Sequence, residues 1–188
     1  MKTLSESRRN WRIPMNKNIG QWVGTWDNIC HYWTVYGGWK SLLYSPYCLL
    51  SIALTVLLCP AWTHSEGAWS DMAMEILPSV IGFAVGAYTI MLAFGGEQFM
   101  TTIAGSVDNE PSPFMIANAA FVHFVVVNFI ALLFSVFVHV WSMKCPVVNA
   151  IGVFLFVYAL SLSLAATFAV LTLARSFDDV APNLKRKK

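Results

Sequence analysis

Residues 75–99 read EILPSVIGFAVGAYTIMLAFGGEQF. From Ile76 to Gly95 this segment holds 20 uncharged residues, enough at about 1.5 Å per residue to cross the ~30 Å hydrocarbon core of a bilayer as a helix. Pro78 falls near the expected start, where a missing N–H costs little. Gly82 and Gly86 form a G-x-x-x-G step, which lets a second helix approach backbone to backbone. Gly95 and Gly96 loosen the far end just ahead of Glu97. A carboxylate is thereby delivered to the membrane boundary after 21 charge-free residues, Ile76 to Gly96.

Three more apolar runs flank this one. LLYSPYCLLSIALTVLLCPAW, residues 42–62, is uncharged and reads as a first span, with Pro46 near its beginning and Pro60 closing it. Residues 63–75 carry Glu66, Asp71 and Glu75 and read as a loop; a second acidic loop runs through Asp108 and Glu110. Phe114 to Trp141 is a third run of 28 uncharged residues, and Val147 to Ala174 a fourth. The turn Lys144-Cys145-Pro146 between them is short enough to force antiparallel neighbours. On the fourth run Ser161, Ala165 and Ala169 form a small-residue stripe suited to close packing. Upstream, Ile19, Trp22, Trp26, Ile29, Trp33 and Tyr36 recur at helical spacing. That pattern predicts an amphipathic helix, either lying in the headgroup region or packing its aromatic stripe on another subunit.

The expected fold is an all-α integral membrane protein, four transmembrane helices preceded by an amphipathic Trp-rich helix. Its parts are a basic arm over 1–18, the interfacial helix over 19–40, a four-helix transmembrane domain over 41–174 and a basic tail over 175–188. Composition agrees: of 188 residues 57% are hydrophobic and only 12% charged, outside the range of soluble domains. No apolar segment with a small-residue cleavage site follows the first arginines, so the chain is read without a cleaved signal. The first 45 residues hold six Lys and Arg and the tail from Arg175 five, leaving Lys144 as the twelfth. By this asymmetry both termini are cytoplasmic, which requires an even number of crossings.

Polar residues within the runs are the candidates for chemistry, because each costs free energy in lipid unless it faces protein or water. Asn128 and His139, eleven residues apart, share a helical face, and His123 lies about 160° from His139. Each is either a helix contact or part of a proton or ion path. Cys30, Cys48, Cys59 and Cys145 show no C-x-x-C spacing, and no span places His, Cys, Asp or Glu at i, i+3 or i, i+4. Neither a resident metal nor another cofactor is expected, and no G-x-S-x-G, H-E-x-x-H or P-loop pattern supports an enzyme. Glu97 is either an interfacial carboxylate in solvent or, repeated around an oligomer axis, an acidic ring that selects cations. The basic ends, Arg8, Arg9 and Arg12 with Lys185, Arg186, Lys187 and Lys188, suit anionic headgroups and, as a second partner, phosphate-bearing ligands.

LPSVIGFAVGAYTIMLAFGGEQF, residues 77–99, together with the short multispan layout, resembles small four-helix bacterial membrane effectors of antiphage defence, the channel effectors of Hailong systems. The resemblance covers 23 residues and a hydropathy profile. It implies a homo-oligomeric channel in the bacterial inner membrane, held silent by a cytoplasmic nucleotide-derived or oligonucleotide ligand and opened during infection. On this chain it would put the acidic pore position at Glu97, with the ligand surface built from the basic ends. From the residues alone two functions remain: a homo-oligomeric, cation-selective pore with Glu97, Asn128 and His139 along it, or a non-conducting membrane anchor recruiting a cytoplasmic partner.

Overall fold

The computed structural model describes residues 17–63, 68–94 and 111–185. Among them every regular element is a helix: α1 Lys17–Tyr36, α2 Gly38–Leu43, α3 Pro46–Leu57, α4 Cys59–Thr63, α5 Ala68–Phe94, α6 Pro113–Val140 and α7 Pro146–Lys185. Three of them contain segments long and apolar enough to cross a membrane: Ala68–Ile90, Phe114–Val140 and Pro146–Thr172. This is three membrane-length helices plus a shorter apolar one, where the hydropathy pattern predicts four.

The difference lies at Pro60. Without an N–H, Pro60 cannot donate to the Val56 carbonyl, so the ladder of α3 stops at Leu57 and restarts as the one-turn α4. The loosened turn is mended by a side chain: the Trp62 indole N–H donates to the Thr55 carbonyl at 2.9 Å. In a water-free surrounding such freed carbonyls need a partner from the protein itself.

Two helices start or end away from their expected places. α5 begins at Ala68, inside what reads as an acidic loop, because Trp69, Ala73 and Leu77 recur at i, i+4, i+8 and are all buried. Pro78 is therefore interior to α5 and not at its start. α7 continues to Lys185, eleven residues beyond the expected end of the transmembrane domain. Its tail section follows the helix register even though its charges put it outside the apolar run.

α7 is the centre of the bundle, with α3, α5 and α6 packed around it. α6 meets it through Phe124, Asn128, Ala131, Ser135 and Val138, all buried and spaced 4, 3, 4, 3, the seam spacing of left-handed helix pairing. Both Ser-Pro pairs start helices as written in sequence: Ser45 precedes Pro46 of α3, and Ser112 precedes Pro113 of α6 and accepts from the Met115 N–H at 3.2 Å. The turn into α7 closes with Ser142 in the left-handed region (φ 46), its N–H donating to the His139 carbonyl while the Met143 N–H donates to the Val138 carbonyl. This is a Schellman close, with serine where glycine is usual.

α5 and α7 meet closely at a glycine. The Trp69 ring lies across Gly152, where an added Cβ would fall 2.1 Å from ring carbons, and the indole N–H donates to Asn149 Oδ1 at 3.0 Å. Gly152→Ala should therefore force Trp69 out of its seat and destabilise the bundle by about 1–3 kcal/mol. Thermal unfolding in detergent, followed by circular dichroism, measures it; an unchanged midpoint would show that the ring can move aside freely.

Candidate functional site

The most developed polar site is a histidine set among phenols where α1 meets the bundle. His123 of α6 is 2% exposed. Its Nδ1 lies 2.6 Å from the Tyr32 hydroxyl of α1, and its Nε2 lies 3.0 Å from the Tyr158 hydroxyl of α7. The Tyr36 ring stacks on the imidazole with centroids 4.0 Å apart, and Phe154 stacks on Tyr158 at 5.8 Å. The Tyr36 hydroxyl is within hydrogen-bonding reach of Tyr158.

Local geometry explains the cluster. Tyr32 and Tyr36 are one turn apart on α1, so both face the same patch of α6, and the chain turns back immediately after them at Gly37 and Gly38, both with positive φ (95° and 64°). A neutral imidazole has one N–H and one bare nitrogen, so one phenol donates to the ring and the other accepts from it. Burial pushes the Tyr32 phenol up to about 12, with the neighbouring Tyr36 adding to the shift, and burial also raises Tyr36. Both phenols stay protonated across the physiological range and serve as hydrogen-bonding groups. The cluster fastens α1 onto α6 and α7 through one continuous polar contact.

Fastened this way, α1 turns its tryptophans outward: Trp22 is 79% and Trp26 66% exposed, and Ile29 is exposed too. Trp33 and Tyr36, expected on that same stripe, are instead half-buried. The side that docks is the phenolic one, and Tyr32 was not part of the apolar stripe at all.

Asn128 and His139 do not form one polar lining. Asn128 is fully enclosed between α6 and α7, its Nδ2 donating to the Phe124 carbonyl at 2.9 Å and to the Ala159 carbonyl at 3.3 Å, while Oδ1 has no hydrogen-bond partner. His139 sits at the open end of α6, where Nδ1 pairs with Asp71 Oδ1 of α5 at 2.8 Å. The two share a face of α6, but α7 covers that face only up to Val138. A polar cleft of about 350 Å³ lies there, lined by Ser70, Asp71, His139, Ser142 and Lys144 among others. Among the described residues no three His, Cys, Asp or Glu side chains are grouped to hold a metal ion.

Gly82 and Gly86 face outward, with nothing among the described residues within 4 Å of where a Cβ would stand. The close helix contact expected of them is not made by any of the described helices. Ser161 of the small-residue stripe does lie at a contact, its hydroxyl accepting from Ser51 of α3 at 3.1 Å. Glu97 and the basic residues Arg8, Arg9, Arg12, Arg186, Lys187 and Lys188 lie outside the described residues; Lys185 ends α7.

The four cysteines are all free. Cys145 precedes α7 and is exposed, and the backbone N–H groups of Val148 and Val147 hold its thiol below the usual range.

The histidine cluster yields a direct test. His123→Phe keeps a ring for stacking but leaves the Tyr158 hydroxyl without its imidazole, at a cost of about 1–3 kcal/mol. Hydrogen exchange of the α1 amides should accelerate in this variant while α6 and α7 keep their protection. Unchanged exchange in α1 would show that stacking and apolar contact alone hold it. Compared with protein-family models, curated proteins and solved structures, the chain has no match.

Proposed function

We propose that this protein is a homo-oligomeric pore of the bacterial inner membrane, cation-selective through Glu97, and that it serves as a depolarising effector in antiphage defence. The observation that carries the reading is the open Gly82/Gly86 step: a membrane-length helix bears a motif for close helix approach, and none of the described helices occupies it. A second copy is the simplest partner for such a face. Asn128, enclosed by the chain's own helices, is left out of the conduction path.

The topology that goes with this reading has both termini in the cytoplasm. α3 and α4 together run from Pro46 to Thr63, 18 residues or about 27 Å if continuous, enough to serve as the fourth crossing beside α7. The α6–α7 turn with Cys145 then faces the outside. In a variant retaining only Cys145, a membrane-impermeant maleimide added to intact cells should label it, and labelling should persist at lower pH than for an ordinary thiol because the thiolate is favoured there. Labelling only after permeabilisation would invert the topology.

A second reading, a non-conducting anchor, is favoured by one observation. α1 presents Trp22, Trp26 and Ile29 outward while its other side is tied to the bundle, a surface fit for a partner as well as for headgroups. Proteoliposome flux separates the two. The pore reading expects cation conductance from purified protein, a reversal potential that moves away from the cation value in Glu97→Gln and further in Glu97→Lys, and loss of both assembly and flux in the Gly82→Leu, Gly86→Leu double variant. Absence of conductance together with unchanged assembly of the double variant would favour the anchor.

A further inference from the structure

We infer that α1 is an acid-released strap: the neutral His123 ring holds its last turn on the bundle, and protonation of that ring lets α1 swing away about Gly37 and Gly38. The hold is narrow. Residues 22–31 of α1 are all exposed, and only Tyr32, Trp33, Val35 and Tyr36 are half-buried. Trp33 leans edge-on against Trp39 of α2 with centroids 5.1 Å apart, a contact across the two glycines and not onto the long helices. The polar hold on the bundle is the Tyr32 hydroxyl at Nδ1 and the Tyr36 ring stacked on the imidazole. Two consecutive glycines in the left-handed region then give the chain a place to pivot without side-chain hindrance.

The proton dependence follows from counting hydrogens. A neutral ring offers one bare nitrogen and receives a hydrogen from one phenol; an imidazolium has two N–H groups and no bare nitrogen. The phenol that donated loses its acceptor, and a full charge sits on a side chain that is 2% exposed. The titratable groups that face it are Tyr32 and Tyr36 of α1 and Tyr158 of α7, with the Cys48 thiol of α3 behind the phenols. α6 itself adds none, since Ala119, Ala120, Val126 and Val127 stand one turn away on either side. From α5, Tyr88 stacks on Phe121, about 200° around α6 from His123. Among these described groups there is no carboxylate, so nothing of opposite sign answers the charge.

Of the helices that meet at the ring, α1 is the one that can leave. α6 and α7 are joined along a buried seam, whereas α1 is attached by its last turn. Its outward side carries Asp27, Asn28 and His31, all exposed, so the place it vacates adjoins water, in which an imidazolium is hydrated. The strap does not depend on conduction, and a pore and an anchor could each carry it.

Electron–electron double resonance on the full-length protein in nanodiscs provides the test, with nitroxides on the exposed Cys30 of α1 and Cys145 ahead of α7 and with Cys59 replaced by Ala. An excess of unlabelled protein confines the signal to pairs within one chain. Wild type should show one docked distance at about pH 8, and an undocked population that grows roughly tenfold or more by about pH 4.5. His123→Gln keeps a donor and an acceptor but takes up no proton, so its distances should not change with pH. His31→Gln should respond as wild type does. Tyr32→Phe leaves His123 able to protonate but removes the hydroxyl at Nδ1, and should raise the undocked share already at the higher pH. A wild type docked at both pH values would overturn the strap. So would a response that survives in His123→Gln or vanishes in His31→Gln, and an undocked share unchanged in Tyr32→Phe would overturn the tether.

Discussion

The seating of Trp69 on Gly152 sets the shape of the whole bundle. It brings the first turns of α5 against α7 as closely as side-chain bulk permits, with the indole N–H held by Asn149 and Asp71 alongside paired to His139 of α6. Among the described side chains of α5 the buried ones lie at this end, Trp69 through Leu77, and beyond them the helix is only partly covered. α5 is thus pinned at one end and open at the other. A crevice bordered by Tyr88 and the uncovered Gly82/Gly86 face both follow from that single anchor point.

The buried polar side chains in this bundle are mostly occupied by a carbonyl or by another polar side chain. Ser51, Thr55, Ser135, Ser161 and Thr167 return their hydroxyls to carbonyls four residues back in their own helices. Asn128 and Ser51 add a second bond across to α7, which marks them as contacts between helices. His123 is the exception in kind, because both ring nitrogens are used between different helices and it is the point where α1 joins the rest. Among the buried side-chain atoms of the described residues, the Tyr88 hydroxyl and Asn128 Oδ1 have no partner.

Much of the architecture was legible in the sequence because lipid-length apolar runs carry their own boundaries. α6 and α7, with their short turn, come straight from charge-free length and Lys144-Cys145-Pro146. What the runs concealed has physical causes. Charged residues at 71 and 75 disguised the first turns of α5, since one helix face can be buried while another carries carboxylates. Pro60 divided a run whose composition is uniform. The Trp stripe of α1 was visible but its docking side was not, because a phenol that hydrogen-bonds to a buried histidine breaks the apolar period used to find the face. Gly152 gave no local signal; only the arrival of Trp69 from 83 positions away explains it.

That separation has a consequence for how the chain is made. Trp69 and Asn149 are 80 residues apart, and Tyr32 and His123 are 91 apart. At a synthesis rate of about 5–20 residues per second, Trp69 waits roughly 4 to 16 s for its hydrogen-bond acceptor and Tyr32 a little longer for its imidazole. During that interval α5 is in the translocation machinery or the bilayer without the helix it packs on, and α1 has nothing to fasten to. The helix around which α3, α5 and α6 gather emerges after them, so a single docking event fixes both the middle and the beginning of the chain that precedes it.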